Sequence, residues 1–524
     1  MPTAPIALTH TDADPFAQNG ELVLIPCVAQ ASSEEKGDGD DVDSSKSAAL
    51  IESSPALQSL AKQLHASGTP VDLAALLDDE SFSGQHGQVC YLPASAAGRV
   101  LLVGVGKASV TVHRFETCIV KAMGRVKLKE IALVSAVLPG LDCGAFSAAV
   151  ALAGAAHQFC YRSREAHAND KGGPEIKELR LHLSEDAVGQ LSDADCAEVT
   201  AMCAGRSLCM DLVNTPSNTK RTATLAEQAR DLEKLGLEVE IVEDVAWIEK
   251  EMPCFYTVAR GSVRSDPPKW IRVRYSPTGG AKRRIALVGK AVIFDTGGYQ
   301  IKPGQFMNTM KADMAGSAAV FGAMQAIATL KPADLAIEAF FATTPNMING
   351  DAMLPDSIVD TTCGKRVEIR HTDAEGRLTL IDAVTMAERS EPEAIGTVAT
   401  LTGAASMAVG MGMALLSRPE HEQWRDAMLT AAHASGDRVQ TLDIMDEDFD
   451  DIKSKLDSAD IRNTMKSKGR GAQTAAAFVL NGASPEMPLV HLDIAGGDMS
   501  DDEKATGIAA KCLVNFLLRQ MPAK

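Results

Sequence analysis

The chain has 524 residues, of which 45% are hydrophobic and 23% are charged. This length and composition are typical of a globular protein of two domains and exclude a disordered or fibrous chain. The formal net charge of −18 disfavours binding to nucleic acid or to an anionic membrane surface, because so acidic a surface repels phosphate groups.

Eleven cysteines are scattered along the chain, and none forms a C-x-x-C pair. This distribution predicts reduced thiols rather than a disulfide framework or a zinc knuckle. The N-terminal stretch MPTAPIALTHTDADPF lacks the basic and apolar regions of a secretory signal. We therefore expect a cytoplasmic protein.

Strand-like and helical runs alternate through the N-terminal part of the chain, which predicts a small α/β domain over residues 1–190. Its strands are predicted at 21–28, 88–94, 99–106 and 130–137. The acidic, polar stretch ASSEEKGDGDDVDSSKSA, at 31–48, predicts a disordered surface insertion because it has too few apolar residues to pack.

A connecting helix and a larger α/β domain are predicted over residues 191–524. The run DADCAEVTAMCAGRSLCMDLV, at 193–213, has the apolar spacing of the connecting helix. Thr224 and Glu227 are spaced as a capping box, which predicts a helix from there to about Leu235. Strands are predicted at 237–243, 270–275, 285–294 and 336–344, and a further helix at 316–330. This alternation favours a mixed, largely parallel central sheet.

One uncharged stretch, AIGTVATLTGAASMAVGMGMALLS at 394–417, is long enough to cross a bilayer. Its glycines and threonines, and its β-branched first part, favour instead a buried strand that ends in a turn. We therefore expect no membrane span.

Three common catalytic motifs are incomplete. GVGKAS, at 104–109, lacks the first glycine and the Ser/Thr of a P-loop, and HEQWR, at 421–425, has Arg425 where a zincin helix needs its second histidine. No G-x-S-x-G elbow occurs in the sequence. P-loop, zincin and serine-hydrolase chemistry therefore have no local support.

The segment HTDAEGRLTL, at 371–380, concentrates charge within an apolar region. On extended backbone Asp373, Glu375 and Arg377 would share one side, with only small residues on the other. Taken alone, this pattern is equally that of an edge strand with a charged outer face.

An upstream segment, 287–316, adds two lysines and two acids at strand ends and turns. Lys290 lies within a strand-like run, where it needs either a carboxylate partner or a lowered pKa. Asp295 ends that run, and Lys302 and Asp313 follow it. Because the carboxyl ends of parallel strands gather active-site residues, these groups and the later acids predict an oxygen-rich site for two divalent ions, about 3.5–4 Å apart.

These residues carry a resemblance to a known family. TDAEGRL at 372–378, together with VGK, FDTGG, IKP and MKADMAG between 288 and 316, resembles the cytosolic leucyl aminopeptidases, the two-metal M17 peptidases. The likeness continues through DLVNTPSN, ATLTGA, SADIRN and LVHLDIAG, and so covers about residues 205–515. The N-terminal part resembles the family's smaller, macro-domain-like domain only loosely.

The resemblance implies an aminopeptidase that releases leucine and other apolar residues from peptides with a free N-terminus, through a water activated by two divalent ions (zinc, manganese, magnesium or cobalt). It implies metal ligands at Lys290, Asp295, Asp313, Asp373 and Glu375. Of these, Asp295 and Glu375 would bridge the two ions. A homohexamer is implied as well.

The resemblance also implies residues beyond the metal ligands. Lys302 and Arg377 would be the catalytic pair, and the arginine would hold a bicarbonate. The pocket for the first substrate side chain would be lined by Met310, Thr400, Leu401 and Gly403. The pocket role would also explain why part of the uncharged stretch at 394–417 is apolar.

The sequence departs from the family's pattern near the site. The family usually has Asn at His371, Ser at Thr296, and Ile-Ser at Tyr299 and Gln300. His371 either adds a titrating group or replaces one hydrogen-bonding side chain by another, and we favour the second reading. All seven charged positions are kept, so we expect activity to be retained.

Two other functions are left open by the residues themselves. The first is a two-metal phosphoryl hydrolase, since carboxylate-rich sites also serve phosphatases, but no histidine cluster is present. The second is a non-catalytic or moonlighting binding protein, for which the net charge of −18 disfavours nucleic acid as the partner.

Overall fold

The computed structural model describes ten stretches of the chain: residues 6–11, 22–29, 45–66, 72–95, 98–125, 133–137, 141–163, 176–183, 190–467 and 469–523. The chain divides into two compact units. The first comprises Met1–Arg162, Ala166–Cys203 and Ala434–Gly436, and the second comprises Ser163–Glu165, Ala204–His433 and Asp437–Lys524. The domain boundary expected between residues 190 and 191 stays a prediction.

The first unit contains a six-stranded sheet with helices. Its described strands are β1 (Ala7–Thr11), β2 (Leu22–Val28), β3 (Val89–Ser95), β4 (Gly98–Gly106), β5 (Leu133–Val137) and β6 (Glu178–His182). Its helices are α1 (Ser45–Ser53), α2 (Pro55–Ala66), α3 (Leu73–Asp79), α4 (Val112–Arg125) and α5 (Gly144–Cys160). The strand order is β1-β6-β5-β2-β4-β3, and every pair is parallel except β3 and β4.

The four strands predicted in the N-terminal part are confirmed as β2, β3, β4 and β5. Most of the insertion predicted at 31–48 lies outside the described residues. Its last part is wrong, because α1 begins at Ser45.

The second unit is built on a larger sheet. The helix α6 (Asp193–Asn214) forms where a helix was predicted at 193–213, with its residues up to Cys203 in the first unit and the rest in the second. Its role as a connection between domains stays a prediction. The strands are β7 (Glu238–Val242), β8 (Lys269–Tyr275), β9 (Arg283–Gly289), β10 (Ala291–Asp295), β11 (Leu335–Asn346), β12 (Ile358–Asp360), β13 (Arg366–Glu368), β14 (Ala394–Ala399), β15 (Met413–Ser417), β16 (Val439–Thr441), β17 (Ile461–Arg462) and β18 (Leu489–Asp493).

The helices of the second unit follow the sheet in α/β alternation. They are α7 (Thr222–Glu233), α8 (Val245–Glu251), α9 (Pro253–Ala259), α10 (Gly304–Met307), α11 (Ala315–Leu330), α12 (Gly376–Glu388), α13 (Gly403–Val409), α14 (Glu422–Ser435), α15 (Asp446–Asp451), α16 (Gly471–Leu480) and α17 (Ala510–Asn515). Within the described part of the chain, no helix is both long and apolar enough to cross a bilayer.

The central sheet is mixed and largely parallel, as predicted. Its order is β16-β15-β18-β14-β9-β11-β8-β7, with β10 paired to β11. The strands β18, β14, β9, β11 and β10 run parallel, while β15, β8 and β7 join the flanks through antiparallel pairs. The carboxyl ends of the parallel strands therefore meet at one edge, where open α/β sheets bind ligands.

Two helices next to the sheet are buried on nearly every side, and one of them, α11, is also almost entirely apolar. α11 has the sequence AGSAAVFGAMQAIATL, and α12 is buried over almost its whole length. Helices that are hydrophobic all round occur where both faces are covered. The small residues of α11 let it approach the sheet closely: a Cβ at Gly316 would lie 2.0 Å from the Val398 carbonyl oxygen.

The structure corrects the predicted bounds of one strand and the predicted start of one helix. The run at 285–294 is two strands, β9 and β10, with Lys290 between them. α7 begins at Thr222, so Thr224 is not the cap: its hydroxyl accepts a hydrogen bond from the Arg221 amide from inside the first turn. The stretch at 394–417 starts as the predicted buried strand, β14, and continues as α13 and β15.

Candidate metal centre

Lys290 occupies the break between β9 and β10 and is 3% exposed. Its Nζ lies 2.5 Å from Asp313 Oδ1 and 3.0 Å from Glu375 Oε1, and it donates a hydrogen bond to the Thr400 carbonyl oxygen at 2.9 Å. Burial alone would lower the pKa of Lys290, but Asp313, Glu375 and Asp295 together raise it above its ordinary value. Of the two options open to a buried lysine, carboxylate partners are the one found.

Asp295 ends β10 and is held from two directions. Its Oδ1 accepts hydrogen bonds from the Gly297 amide and from Asn346 Nδ2, both at 2.8 Å. Gly297 has a φ of +88°, a conformation that strongly favours glycine. The bonds on Oδ1 leave Oδ2 directed at Lys302, whose Nζ lies 2.7 Å away.

Lys302 forms ion pairs with Asp295, at the end of β10, and with Asp373. Its Nζ lies 2.6 Å from Asp373 Oδ1, in addition to its contact with Asp295. Burial acts to lower the pKa of Lys302, but Asp295 and Glu375 raise it above the ordinary lysine value. The side chain is therefore an ammonium at neutral pH.

The segment at 372–378 is not a strand, and the prediction that Asp373, Glu375 and Arg377 alternate on extended backbone is wrong. Asp373 lies in a turn, Glu375 is the N-cap of α12 with helical φ and ψ, and Arg377 is in the first turn of that helix. The acids reach the two lysines from a turn and a helix N-terminus, and not from one face of a strand: Asp373 contacts Lys302, and Glu375 contacts Lys290.

Gly376 makes this approach possible. A Cβ at this position would lie 2.4 Å from Lys290 Cε, well inside van der Waals contact. Any larger residue would push the Lys290 side chain away from its acids or move the start of α12. The need for glycine at this point follows from packing, not from backbone conformation.

We expect Gly376→Ala to lower the affinity for a divalent ion at least about tenfold, because the added methyl displaces Lys290 from its buried position. Calorimetric titration of the purified variant with manganese chloride measures this effect. Gly279→Ala is the matched control, since a Cβ there meets nothing within 4 Å. Equal affinities in the two variants would contradict the packing argument.

The acids of the site fit a divalent cation. Asp295, Asp373 and Glu375 each place a carboxylate oxygen within 4.8 Å of the others. Asp313 Oδ2 is buried and has no hydrogen-bond partner among the described residues. Burial and the neighbouring acids raise the pKa of Asp313, and they raise that of Asp373 to about 7. Crowded, desolvated carboxylates of this kind gain most from a bound divalent ion.

Arg377 lines the same cavity as the acids and is 8% exposed. Its Nη1 donates to the Asn463 carbonyl oxygen at 2.9 Å, while its Nε is buried with no hydrogen-bond partner among the described residues. Burial lowers the pKa of Arg377 to about 10, against the raising effects of Glu375 and Asp493. A buried guanidinium with a free N–H can receive a small anion.

All eleven predicted site residues line one cavity of about 440 Å³ at the carboxyl edge of the central sheet. They are Lys290, Asp295, Lys302, Met310, Asp313, Asp373, Glu375, Arg377, Thr400, Leu401 and Gly403. The remaining lining residues include Phe306, Ala495 and Asp498. The cavity is therefore lined both by charged groups and by apolar and small residues.

Sequence reasoning missed three residues that hold this arrangement. Asn346 binds Asp295, and Asn463 donates to the His371 carbonyl oxygen at 2.7 Å. Asp493 accepts hydrogen bonds from the Leu401 amide at 3.0 Å and from Thr402 Oγ1 at 2.7 Å. Asn463 and Asp493 belong to the motifs SADIRN and LVHLDIAG, which carry the family resemblance. A polar residue within such a motif was the sequence feature that could have identified them.

The departures from the family pattern have ordinary hydrogen-bonding partners. The amide of Asp373 donates to His371 Nδ1 at 3.2 Å, which an asparagine oxygen could equally accept. Gln300 exchanges two bonds with Thr372: the Gln300 amide donates to Thr372 Oγ1 at 2.9 Å, and the Thr372 amide donates to Gln300 Oε1 at 2.6 Å. Thr296 Oγ1 donates to the Asn346 carbonyl oxygen at 2.8 Å.

Comparison with known families matches two domain models. Residues 207–514 match the catalytic domain of the cytosol aminopeptidase family, and residues 50–167 match the N-terminal domain of the same family. The catalytic match includes every predicted site residue.

Curated relatives and solved structures agree with the domain models. A probable cytosol aminopeptidase of Prochlorococcus marinus (strain MIT 9211) is 34% identical over 89% of this chain and 94% of its own, and one of Synechococcus sp. (strain CC9605) is 41% identical over 66% and 70%. A mutant of tomato leucine aminopeptidase has a TM-score of 0.82 at 28% identity, over 98% of this chain and 96% of its own. The bottromycin maturation enzyme BotP in complex with Mn has a TM-score of 0.76 at 26% identity, over 95% and 99%.

Proposed function

Because the chain belongs to the cytosol aminopeptidase family and is a metal-dependent aminopeptidase acting on peptides, we propose that two divalent ions bound at the described acids serve its reaction. The observation that carries the proposal is the convergence of Asp295, Asp373 and Glu375 within 4.8 Å of one another, beside a buried lysine. Neither alternative function gains support from the comparisons.

The five proposed metal ligands are Lys290, Asp295, Asp313, Asp373 and Glu375, with Asp295 and Glu375 bridging. In support, Asp313 Oδ2 is buried without a partner in the described chain, and Lys290 Nζ lies within 3.0 Å of two of the acids. When bound, divalent ions polarise a substrate carbonyl and lower the pKa of a bound water far below its bulk value of about 15.7. Zinc, manganese, magnesium and cobalt all suit ligands of this type, and BotP is a relative in complex with Mn.

Lys302 and Arg377 are the proposed catalytic pair. Lys302 is an ammonium held between Asp295 and Asp373, and its charge can stabilise the oxyanion that develops on the scissile carbonyl. Arg377 would hold a bicarbonate through its buried Nε, which has no hydrogen-bond partner among the described residues, and such an anion can take up a proton during attack on the carbonyl.

The pocket for the first substrate side chain is proposed to lie along Met310, Thr400, Leu401 and Gly403. Met310 and Leu401 are half-buried and line the cavity, so an apolar side chain would gain free energy by covering them. Leucine and other apolar N-terminal residues are therefore the proposed preferred substrates.

Assembly and location are proposed from the family. We expect a homohexamer in solution and a cytoplasmic location, the latter in line with relatives named cytosol aminopeptidases. Light scattering of the purified chain would test the assembly directly.

Removal of metal tests the proposed function. After dialysis against a chelator, we expect hydrolysis of leucine p-nitroanilide to fall at least about 100-fold, because the acids alone cannot activate water. Addition of manganese or zinc chloride should restore it. Activity that survives chelation, with no metal detected by mass spectrometry, would contradict the proposal, and p-nitrophenyl phosphate serves as the control substrate for a phosphoryl hydrolase.

Metal binding should also depend on pH. Since the pKa of Lys290 is raised in the metal-free chain, the side chain must lose a proton to become a ligand. Because metal binding releases these protons, binding weakens as the pH falls. We expect the apparent affinity for the metal to drop by about tenfold per pH unit for each proton released. The drop should steepen below pH 7, where Asp373, with its pKa raised to about 7, also becomes protonated.

Calorimetric titration with manganese chloride at pH 6.5, 7.5 and 8.5, each in two buffers of different ionisation enthalpy, counts the released protons. A matched variant, Lys290→Met, should bind more weakly and lose the pH dependence between pH 7.5 and 8.5. An affinity that is independent of pH in the unmodified chain would contradict the assignment of Lys290 as a ligand.

A further inference from the structure

The cavity contains one carboxylate that the proposed reaction does not use. Asp498 lines the cavity together with Met310, Leu401 and Ala495, five residues beyond the end of β18. It is not part of the group of acids whose oxygens lie within 4.8 Å of one another. Asp498 is half-buried, and an ionised carboxylate inside a substrate cavity needs a physical reason because it costs free energy to desolvate.

The backbone around Asp498 is held in place. The Asp498 amide donates to the Ile494 carbonyl oxygen at 3.1 Å, and the Asp498 carbonyl oxygen accepts from the Thr506 amide at 3.0 Å. Gly496 packs directly against the backbone of Gly410, since a Cβ at Gly496 would be 2.1 Å from the Gly410 carbonyl oxygen. The side chain is therefore presented to the cavity from a fixed position.

The carboxylate of Asp498 has no ion-pair partner among the described residues, although Lys290 acts on it from farther away and lowers its pKa. Its own amide and the Met499 amide are its hydrogen-bond donors, and across the described ranges no lysine or arginine forms an ion pair with it. Burial raises the pKa of Asp498 to about 7, and the nearby Asp493 acts in the same direction. A cation brought in by the substrate would relieve this unfavourable burial.

We propose that Asp498 receives the positively charged end of an N-terminal lysine or arginine side chain, so that the enzyme accepts basic N-terminal residues besides leucine. The methylene stem of such a side chain would pack along Met310 and Leu401, as long basic side chains do on apolar surfaces, with the charged end at the carboxylate. This substrate class rests on the proposed function, because it assigns a specificity to the same cavity.

The test compares substrates within each variant, so that differences in the fraction of active protein cancel. For the manganese-loaded enzyme, kcat/KM is measured on lysyl, arginyl, leucyl and methionyl aminomethylcoumarin at one pH above 7.5. We expect the lysyl value of the unmodified enzyme to lie within about tenfold of the leucyl value. In Asp498→Leu, the lysyl-to-leucyl ratio should fall at least about 20-fold, mainly through the KM for the lysyl substrate.

Two further variants separate charge from structure. Asp498→Asn keeps the size of the side chain and should lower the same ratio by a smaller factor, and it also covers the case in which Asp498→Leu fails to fold. Asp501→Asn, on an exposed acid three residues further along the chain, should leave the ratio unchanged.

The possible failures are distinct. If Asp498→Asn and Asp498→Leu leave the lysyl-to-leucyl ratio unchanged while the leucyl substrate is cleaved, the proposed role of Asp498 in binding basic side chains is wrong. The proposed aminopeptidase function is then unaffected. If the unmodified enzyme cleaves neither substrate with manganese present, the proposed function itself has failed.

Discussion

Glu375→Gln is expected to lower kcat/KM on leucine p-nitroanilide by at least roughly 1000-fold, equivalent to about 4 kcal/mol of transition-state stabilisation. Glu375 is 2% exposed, and its Oε1 lies 3.0 Å from Lys290 Nζ. Glutamine has nearly the same shape but no charge, so it would be a much weaker ligand for the divalent ions proposed at this site. In the metal-free chain, the buried amide would also leave the Lys290 ammonium with one acid fewer.

The metal content of the variant decides how this loss arises. We expect mass spectrometry to find no more than half of the metal that the unmodified enzyme retains after gel filtration. Glu391→Gln, on an exposed acid beyond the end of α12, is the matched control and should keep both activity and metal. Retention of more than a tenth of the activity by Glu375→Gln would rule out a bridging role for this residue.

Lys302→Ala is expected to lower kcat by about 100- to 1000-fold while the metal stays bound. The ammonium of Lys302 lies 2.7 Å from Asp295 and 2.6 Å from Asp373, at the cavity, where it can stabilise charge that develops on the substrate. Removing one oxyanion donor typically costs about 2.7–4 kcal/mol, which corresponds to this range.

A split between kcat and KM distinguishes catalysis from simple positioning. If Lys302 acts on the transition state, kcat and kcat/KM should fall by similar factors and KM should change little. Lys282→Ala provides the matched control, because Lys282 is exposed and its ion pair with Asp334 lies at the surface. A Lys302→Ala enzyme with unchanged kcat, or one that has lost its metal, would remove the proposed role.

The folded elements that were predicted well share one property: their signal is local. The strands β2, β4, β8 and β11 and the helix α11 are runs of apolar residues with the period or length of their element. Such runs must be buried wherever the chain goes, so their type can be read without knowledge of their neighbours. The mixed, largely parallel sheet follows from their alternation.

The site was predicted in its membership but not in its construction. All eleven expected residues line one cavity, yet Asp373, Glu375 and Arg377 reach it through a turn and a helix start, not along a strand. Short polar sequences with a glycine are compatible with either conformation. The choice was made by packing, because Gly376 must lie against Lys290.

The amino-acid sequence by itself determined which chemical groups are available, namely four acids, two lysines and an arginine. These residues lie too far apart in the sequence to share one face of a single helix or strand. Only the tertiary structure decided that Asn346 braces Asp295 from 51 residues away and that Asp493 holds Leu401 from 92. It also placed Asp498 in the lining of the same cavity. Contacts over such separations depend on how strands stack at the carboxyl edge of a sheet, and hydrophobic patterns along the chain carry no record of that arrangement.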